Sequence, residues 1–225
     1  MADPKILRVV VGCDDQKIDL KDEKDVAIVV GLRGFAHTGD QGISYAGSGG
    51  EAVSQRYGIA VVGPGSGGIA RGGAETVACA YDGASASGGD GSIAWARRDG
   101  TATVDSNGAA WSLDSKSKGG SGSVAVTTRQ NATDASAHVG PLGVALVHNH
   151  PALAPISKPA TAIAEQYGVA VAIDDNYVQG SLGALLVVAY VFEGGYRFAV
   201  GVVDGKTLKA DQRYKASEKG ELVAV

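Results

Sequence analysis

The chain of 225 residues has few of the residues that mark disulfide-rich, metal-binding or membrane proteins. It contains 2 Cys, 1 Met and 6 Pro, and aromatic residues make up 6% of it. Cys13 and Cys79 have no paired spacing, which argues against a disulfide scaffold and against a zinc knuckle. The apolar stretch ILRVVV near the start is too short for a signal peptide or a membrane span. We therefore expect a cytoplasmic protein with no membrane partner.

Basic residues are in the minority, which argues against a large surface for nucleic acid. The chain has 20 Lys and Arg against 24 Asp and Glu, a net charge of −4. Glycine is abundant, with 34 residues, and 44% of the chain is hydrophobic, much of it alanine and valine. Glycine without a three-residue period excludes collagen, and apolar runs from end to end argue against disorder. A core of such small residues is thin, so its layers must lie close together.

Four-residue runs with a small second residue recur about every 16 residues. In one series the starts are 16, 18, 16, 16 and 15 residues apart, and in a second, interleaved series they are 16, 15 and 17 apart. The first series comprises residues 43–46, 59–62, 77–80, 93–96, 109–112 and 124–127, and the second comprises 53–56, 69–72, 84–87 and 101–104. Two short strands per coil, separated by glycine-rich corners, predict an all-β fold, the β-solenoid.

Equivalent strands of successive coils pair in parallel in such a fold, and about eight or nine coils would stack about 4.8 Å apart. The alternative is a β-sandwich with glycine-rich loops, whose strands usually have about five or six residues. The regular spacing favours the solenoid. We expect an N-terminal cap strand in 1–24, the solenoid in 25–182 and a C-terminal β-hairpin cap in 183–225.

Alternation along the strands predicts which side chains face out. The second place of every run is Ser, Ala or Thr, as a narrow interior requires, and the third place is polar in much of the second series, as at Arg71 and Thr103. The third places of the first series therefore face out as well, and they are largely apolar. We predict partner binding at Tyr45, Val61, Trp95, Trp111 and Val126, with both tryptophans on one face, one coil apart.

Two alternatives to this exposed face remain open at this point. Another segment of the same chain would cover the face in the first. In the second the alternation is reversed, so that large residues fill a wider core and a flat alanine face packs against copies of the chain.

Two segments resemble known repeat proteins. The tail VVDGKTLKADQRYKASEKGELVAV resembles uncharacterised phage and bacterial proteins in which glycine-rich repeats precede V-D-G-x-x-[IL]-K-x-D-x-x-Y; Asp204, Gly205 and Tyr214 are among the matches. The resemblance implies a repeat followed by a cap and carries no activity. Separately, GSIAWARRDGTATVD is similar to the repeats of trimeric autotransporter heads, although the period here is longer.

Two motifs were considered for metal binding. Residues 88–96, GGDGSIAWA, resemble the calcium-binding nonapeptide of β-roll proteins, but Ile93 stands where that repeat needs aspartate. His148 and His150 in HNHP resemble the H-x-H-P of metal-dependent deubiquitinase-type proteases. Those proteases continue to a serine and then an aspartate, and here Ala160 stands at the aspartate position. We expect no metal and no cofactor, with His148 and His150 as the remaining candidate ligands.

These observations predict a non-enzymatic interaction protein. The leading hypothesis is an immunity-type protein that binds and neutralises a bacterial toxin. The alternative is a structural component of a phage or cell surface, built as a trimer through the small-residue face, and a third possibility is a metal-dependent hydrolase that uses the two histidines. Both a monomer and a trimer fit the sequence.

Overall fold

The computed structural model describes residues 8–65, 67–129, 135–149 and 159–225. Its described residues form strands and no helix. The strands lie in stacked parallel coils of about 16 residues per turn, so the chain is a β-solenoid of about 10 turns. The predicted fold is confirmed. None of the described segments is a helix of the length and apolarity needed to cross a membrane.

The chain divides into two units, Met1–Gly108 and Ala109–Val225, and strands of two sheets alternate along each unit. The first sheet of unit 1 contains, in spatial order, β1 (Arg8–Val11), β3 (Val26–Val30), β5 (Ile43–Ala46), β7 (Ile59–Val62), β9 (Val77–Ala80) and β11 (Ile93–Ala96). The second sheet of unit 1 contains β2 (Lys17–Leu20), β4 (Phe35–Thr38), β6 (Glu51–Ser54), β8 (Ile69–Gly72), β10 (Ser85–Gly88) and β12 (Thr101–Val104).

In unit 2 the strands of the two sheets also alternate along the chain, but the pairing of its last strands is antiparallel. Its first sheet contains β13 (Ala109–Leu113), β15 (Val124–Arg129), β17 (Val144–Asn149), β19 (Val169–Ile173), β21 (Leu185–Phe192) and β22 (Gly195–Val202). Its second sheet contains β14 (Lys116–Gly119), β16 (Ser136–Val139), β18 (Thr161–Ala164), β20 (Tyr177–Gly180), β23 (Arg213–Ala216) and β24 (Leu222–Ala224). The pairs β21–β22, β20–β23 and β23–β24 are antiparallel, unlike the parallel pairs before them.

Alanine fills the interior of the coils. In the first sheet of unit 1, Ala60 pairs in register with Ala78, and Ala78 pairs with Ala94; all three are fully buried. The second sheet of unit 1 contributes a matching column, Ala36, Ala52, Ala70, Ala86 and Ala102. The small side chains at these positions let the two sheets lie close together, although larger inward residues such as Val62 and Leu186 are also fully buried.

Buried hydroxyl groups interrupt the alanine columns and satisfy one another. Inside unit 2, Thr127 Oγ1 lies 2.7 Å from Ser117 Oγ and 3.1 Å from Ser112 Oγ, and it donates to the carbonyl of Ser136 at 2.8 Å. In the same unit, Asn176 Oδ1 accepts from the Ala160 amide at 2.8 Å. These bonds let small polar residues take inward places without leaving unpaired groups.

Residues at the corners have left-handed backbone, but glycine is not the main supplier of it. Among the described residues, 15 residues other than glycine have positive φ, against 10 glycines. Many corner glycines meet a different need, because successive coils crowd together there. A Cβ at Gly58 would lie 1.8 Å from Ser54 Oγ and 2.5 Å from the Gly42 carbonyl oxygen, so no side chain fits. Glycine therefore supplies only part of the left-handed backbone at the corners.

The predicted strands of the first series match β5, β7, β9, β11, β13 and β15 at their starts, whereas two runs of the second series are displaced. β6 begins at Glu51 rather than at 53, and β10 begins at Ser85 rather than at 84. Because β10 begins one residue later than predicted, each residue of this run lies on the opposite side of the sheet from the predicted one. Ala84, which follows the corner at Asp82 and Gly83, is buried. Ser85, predicted to face inward, is exposed.

Both ends of the chain take part in the two sheets. Segment 1–24, predicted as a cap strand, contains β1 and β2, and these pair in parallel with β3 and β4 like all later strands of unit 1. At the other end, β21 and β22 form an antiparallel hairpin, and β23 and β24 add to the second sheet.

Residues of the tail motif stabilise the loop that leads from β22 in the first sheet to β23 in the second sheet. Asp204 Oδ1 accepts from the amides of Lys206, Thr207 and Leu208 at 2.8, 2.8 and 3.1 Å. These backbone donors hold the pKa of the Asp204 carboxyl below its usual value. Tyr214 Oη accepts from the Lys209 amide at 2.6 Å. Two of the residues that carry the tail resemblance therefore have a structural role.

Candidate functional site

Side chains in β5, β7, β9 and β11 of the first sheet alternate between the interior and the outside. In β11, Ala94 and Ala96 are fully buried, whereas Ile93 is 51% exposed and Trp95 is half-buried. The same alternation holds in β5, β7 and β9. The predicted alternation is confirmed for the first series, and the reversed arrangement with an outer alanine face is wrong, because the alanines form the interior. The alanine columns of the first sheet therefore form no outer surface, and the oligomeric state of the chain stays a prediction.

The outward residues of the first sheet in unit 1 are all apolar or uncharged. We call this surface the unit 1 face; it comprises Val9, Val11, Ala27, Val29, Ile43, Tyr45, Ile59, Val61, Val77, Cys79, Ile93 and Trp95. Neighbouring strands align these side chains in rows. Tyr45, Val61, Cys79 and Trp95 occupy one row, which contains three of the predicted binding residues, with Cys79 between Val61 and Trp95.

Unit 2 has a corresponding surface on its first sheet. The unit 2 face comprises Ala109, Trp111, Leu113, Val124, Val126, Thr128, Val144, Leu146, His148, Val169, Val171, Ile173, Leu185, Val187, Ala189, Val191, Tyr196, Phe198, Val200 and Val202. Trp111 pairs with Val126, and Val126 pairs with Leu146, so the other two predicted residues are also neighbours. Trp95 lies in unit 1 and Trp111 in unit 2, and their expected closeness stays a prediction.

The most exposed part of the unit 2 face is the C-terminal hairpin. Tyr196, Phe198, Val200 and Val202 alternate along β22 and are 54–64% exposed. Val191 on β21 pairs with Tyr196 and is 59% exposed. A contiguous group of large apolar side chains with more than half of their surface in water is typical of an interaction site.

The second sheet has different chemistry on its outer surface. In unit 1 this surface includes Lys17, Asp19, Glu51 and Arg71, with Ser and Thr pairs on β10 and β12. Arg71 Nε lies 3.1 Å from Glu51 Oε1, and His37 Nδ1 lies 3.2 Å from Asp19 Oδ1. The apolar character therefore belongs to one of the two sheets and is not a general property of this fold.

Contacts around Trp95 hold its ring in place. Tyr81, at the corner after β9, packs edge-to-face on Trp95 with the ring centroids 5.1 Å apart. Cys79 lies next to Trp95 in the sheet, and burial raises the pKa of its thiol. The row from Tyr45 to Trp95 thus presents ordered, uncharged side chains, which lose little conformational freedom when a partner binds.

The residues at the first places of the first-series runs also lie on the unit 1 face, although they are not among the predicted binding residues. Ile43, Ile59 and Ile93 are 38%, 39% and 51% exposed. The signal was present, because the first and third places of a strand share one side. The hairpin residues from Tyr196 to Val202 were harder to find, since they lie beyond the 16-residue repeat.

Of the two candidate metal ligands, His148 lies among the described residues and His150 does not. His148 is half-buried on the outer side of β17, where it pairs with Thr128 of β15. His150 lies outside the described residues, so the His148–His150 pair stays a prediction. Within the part of the chain that the structure describes, no group of three or more His, Cys, Asp or Glu is arranged to hold a metal ion.

The GGDG segment forms a corner. Gly88 ends β10, Gly91 has a φ of 67°, and Asp90 Oδ1 accepts from the Ser106 amide of the next coil at 3.0 Å. The Asp90 carboxylate therefore links two successive corners.

Two depressions lie on the surface of unit 2. One, of about 440 Å³, is lined by residues that include Asp174, Tyr190 and Glu218. The other, of about 600 Å³, is lined by residues that include His138 and Glu165, whose Nε2 and Oε1 atoms are 3.5 Å apart. Among the described contacts, neither lining shows a serine or cysteine hydrogen-bonded to a histidine, the arrangement that activates such a nucleophile.

The chain matches no protein-family model, no curated protein and no solved structure. The likeness of the tail to phage and bacterial repeat proteins therefore stays a prediction.

Proposed function

We propose that this chain is a non-catalytic protein-interaction scaffold and that it binds its partner through the apolar faces of its first sheet. One observation carries the proposal: six strands of unit 1 present eleven outward side chains that are uncharged and at least partly exposed, while the opposite sheet presents the Arg71–Glu51 ion pair. Water in contact with so large an apolar surface is unfavourable, and a bound protein removes it.

Aromatic side chains supply the anchors of the proposed surface. Tyr45 and Trp95 lie in one row of the unit 1 face, and Trp111 lies on the unit 2 face. Aromatic residues are enriched among the side chains that contribute most to binding energy, because they bury large areas with few rotatable bonds. We expect Trp95 to be the central contact of the unit 1 face, since Tyr81 already fixes its ring.

The narrower form of this proposal is toxin neutralisation in the cytoplasm. The net charge of −4 suits a basic partner, and a rigid solenoid suits a protein that must cover an active site. The same faces would then contact the toxin. Identification of a captured partner, together with the product of the neighbouring gene, tests this form.

Differential capture tests the general proposal. The chain is immobilised and exposed to an extract of its source organism, alongside the variants Ile93→Glu and Ser85→Glu. Both variants place a new charge at the first position of an exposed strand, on the unit 1 face and on the opposite sheet respectively. We expect a captured protein to be lost with Ile93→Glu and retained with Ser85→Glu. Equal capture by the two variants would show that the unit 1 face is not the binding surface.

A structural component assembled from several copies is the second candidate. It is favoured by the regular rows of the two faces, which offer no charge to oppose self-association. Light scattering distinguishes the candidates, because a stable assembly of the purified chain favours the structural role and a monomer favours a different partner.

A further inference from the structure

We propose that β22 binds an extended segment of a partner protein, which adds to the first sheet as one more strand. β22 is the last strand of that sheet in unit 2, and it pairs with β21 along one edge. Main-chain groups along its other edge would make the contact, so this site differs from the rows of apolar side chains. The inference rests on the proposed function, because it names the form in which a protein partner is bound.

The hairpin turn determines which main-chain groups of β22 point toward its free edge. Glu193 and Gly194 have φ of 50° and 78°, the backbone of a two-residue type I′ turn. Phe192 and Gly195, on either side of this turn, therefore form a pair that exchanges both main-chain hydrogen bonds. Along an antiparallel hairpin such pairs alternate with pairs that do not exchange hydrogen bonds, so every second residue of β22 bonds to β21.

The other residues of β22 direct their main chain away from β21. The alternation reaches the position after the strand, where the Val203 amide donates to the Ala184 carbonyl at 2.9 Å, as this register requires. The N–H and C=O groups of Tyr196, Phe198 and Val200 therefore point toward the free edge. In the described part of the chain, no other backbone group is hydrogen-bonded to these three amides and three carbonyls.

β22 has few of the features with which natural sheet edges avoid further pairing. Those features are short strands, proline, bulges and charged side chains. β22 has 8 residues without a proline, and its one-to-one register with β21 contains no bulge. Its single charged residue, Arg197, lies on the opposite side of the strand from Tyr196 and Phe198. A long, regular edge of this kind is a template for another strand.

The exposure of the side chains agrees with the edge position and indicates which residues the added strand would carry. Ile43 and Ile59, on strands with a neighbour on each side, are 38% and 39% exposed, whereas Tyr196, Phe198 and Val200 are 58–64% exposed. An added strand would place every second side chain beside these three. Because aromatic and β-branched residues form favourable cross-strand pairs, we expect apolar residues at alternate positions of the bound segment.

Main-chain geometry selects this class of partner over other apolar partners. Donors and acceptors that repeat every two residues along an edge are matched by another extended backbone. A compact apolar surface or a lipid would cover the side chains and leave the buried main-chain groups without hydrogen bonds, which is unfavourable. Strand addition satisfies both the main chain and the apolar side chains.

Hydrogen exchange followed by NMR tests the free edge on the full chain at low concentration. We expect the amides of Tyr196, Phe198 and Val200 to exchange at least about 100-fold faster than those of Arg197 and Ala199, which bond to β21. Equally slow exchange of all five amides would overturn the proposal, because the edge would already be paired.

Peptide binding tests the proposed partner. Random dodecapeptides displayed on phage are selected on the immobilised chain, and an enriched peptide is synthesised and titrated by fluorescence anisotropy. Val200→Pro removes one amide of the free edge, and we expect it to weaken binding at least about tenfold. Val200→Thr keeps the amide and a β-branched side chain, and it should change the dissociation constant less than about threefold. Far-UV circular dichroism establishes that both variants keep the strand content of the wild type.

Methylated peptides repeat the test on the unchanged protein. Alternate amides of a bound strand face β22, and the remaining amides face away from it. We expect N-methylation of one alternate set to abolish binding and N-methylation of the other set to preserve it. The same effect of both sets would overturn the proposal.

Three further outcomes would also overturn the proposal. They are a library without an enriched peptide, a folded Val200→Pro variant that binds the peptide as tightly as the wild type, and a dimer of the chain that Val200→Pro dissociates, since a second copy would then occupy the edge. Each of them leaves the proposed function standing if capture of a partner is still lost with Ile93→Glu and retained with Ser85→Glu.

Discussion

Alanine occupies most of the inward positions in β7, β9 and β11. Ala94 and Ala78 pair in adjacent strands, and both are fully buried. The residue on either side of Ala94 points outward, so a single strand separates the tightest packing of the molecule from its apolar surface. At the scale of residues, therefore, stability and binding depend on alternate positions of the same short strands.

Enlarging an inward alanine should destabilise the fold. Ala94→Leu inserts three carbon atoms between close-packed coils, and we expect a loss of about 3 kcal/mol or more in the free energy of unfolding. Ile93→Leu, at the neighbouring outward position, should change it by less than about 0.5 kcal/mol. Urea denaturation followed by circular dichroism measures both. Similar midpoints for the two variants would mean that the interior is not packed as described.

Substitution of a strained corner residue should instead stabilise the fold. Leu142 has a φ of 59° and is 68% exposed, so it bears the strain of left-handed backbone without a buried side chain in return. Leu142→Gly should raise the free energy of unfolding by about 0.5–1 kcal/mol. Leu182 is also exposed but does not have positive φ, and Leu182→Gly should lower stability by about 0.5–1 kcal/mol. Two changes of the same sign in thermal melts would contradict this account of the corner.

At the scale of elements, the solenoid ends through a change from parallel to antiparallel pairing. β21 pairs in parallel with β19 and antiparallel with β22, and β20 makes the same change with β23. The chain between β22 and β23 must turn through a short loop, and Asp204 supplies the acceptor for three of its amides. The end of the coil therefore depends on one carboxylate.

The Asp204 loop predicts an acid-sensitive contribution to stability. Because the pKa of Asp204 is lowered in the folded chain, its contribution is complete above the unfolded value of about 3.9 and is lost as the pH falls through the lower folded value. Asp204→Ala should lower the melting temperature at pH 7. This effect should shrink below about pH 4 and vanish as the pH falls through the lower folded pKa of Asp204, where the folded wild type loses the charge. Thermal melts from pH 7 to pH 2 measure the difference. A difference between the two proteins that stays constant over this range would show that the charged form is not what the loop requires.

The repeating elements could be predicted from the sequence, whereas the exceptions to the repeat could not. Small residues at every second place, with Ile59 and Ile93 at equivalent positions, specify strands, period and sides. The run at 84–87 was misplaced because Ala, Ser and Gly adjoin there without a large residue to set the side. The run at 53–56 was placed two residues late, which left its predicted sides unchanged. Corner residues such as Leu142 take left-handed backbone through the stacking of coils, which local propensity does not reveal.

At the scale of the whole molecule, each unit presents apolar side chains on the outer surface of its first sheet. In each unit the first sheet presents an apolar outer face, and in unit 1 the second sheet presents ion pairs such as Arg71 with Glu51. The predicted residues Tyr45, Val61, Trp95, Trp111 and Val126 all lie on the apolar faces. The alternation of residues along the strands predicted the orientation of these side chains. The identity of the partner does not follow from any sequence pattern, since an apolar face indicates where a partner binds and not which partner it is.

The most direct test of the binding account uses the 2 tryptophans of the chain, both of which lie on the apolar faces. Acrylamide quenching of their fluorescence is measured for the isolated chain at low concentration and for its assembly, either with a second copy or with a captured partner. The account predicts that the quenching constant falls by about half or more on assembly, because the core of an interface excludes water. An assembly that forms while the quenching constant stays unchanged would contradict it.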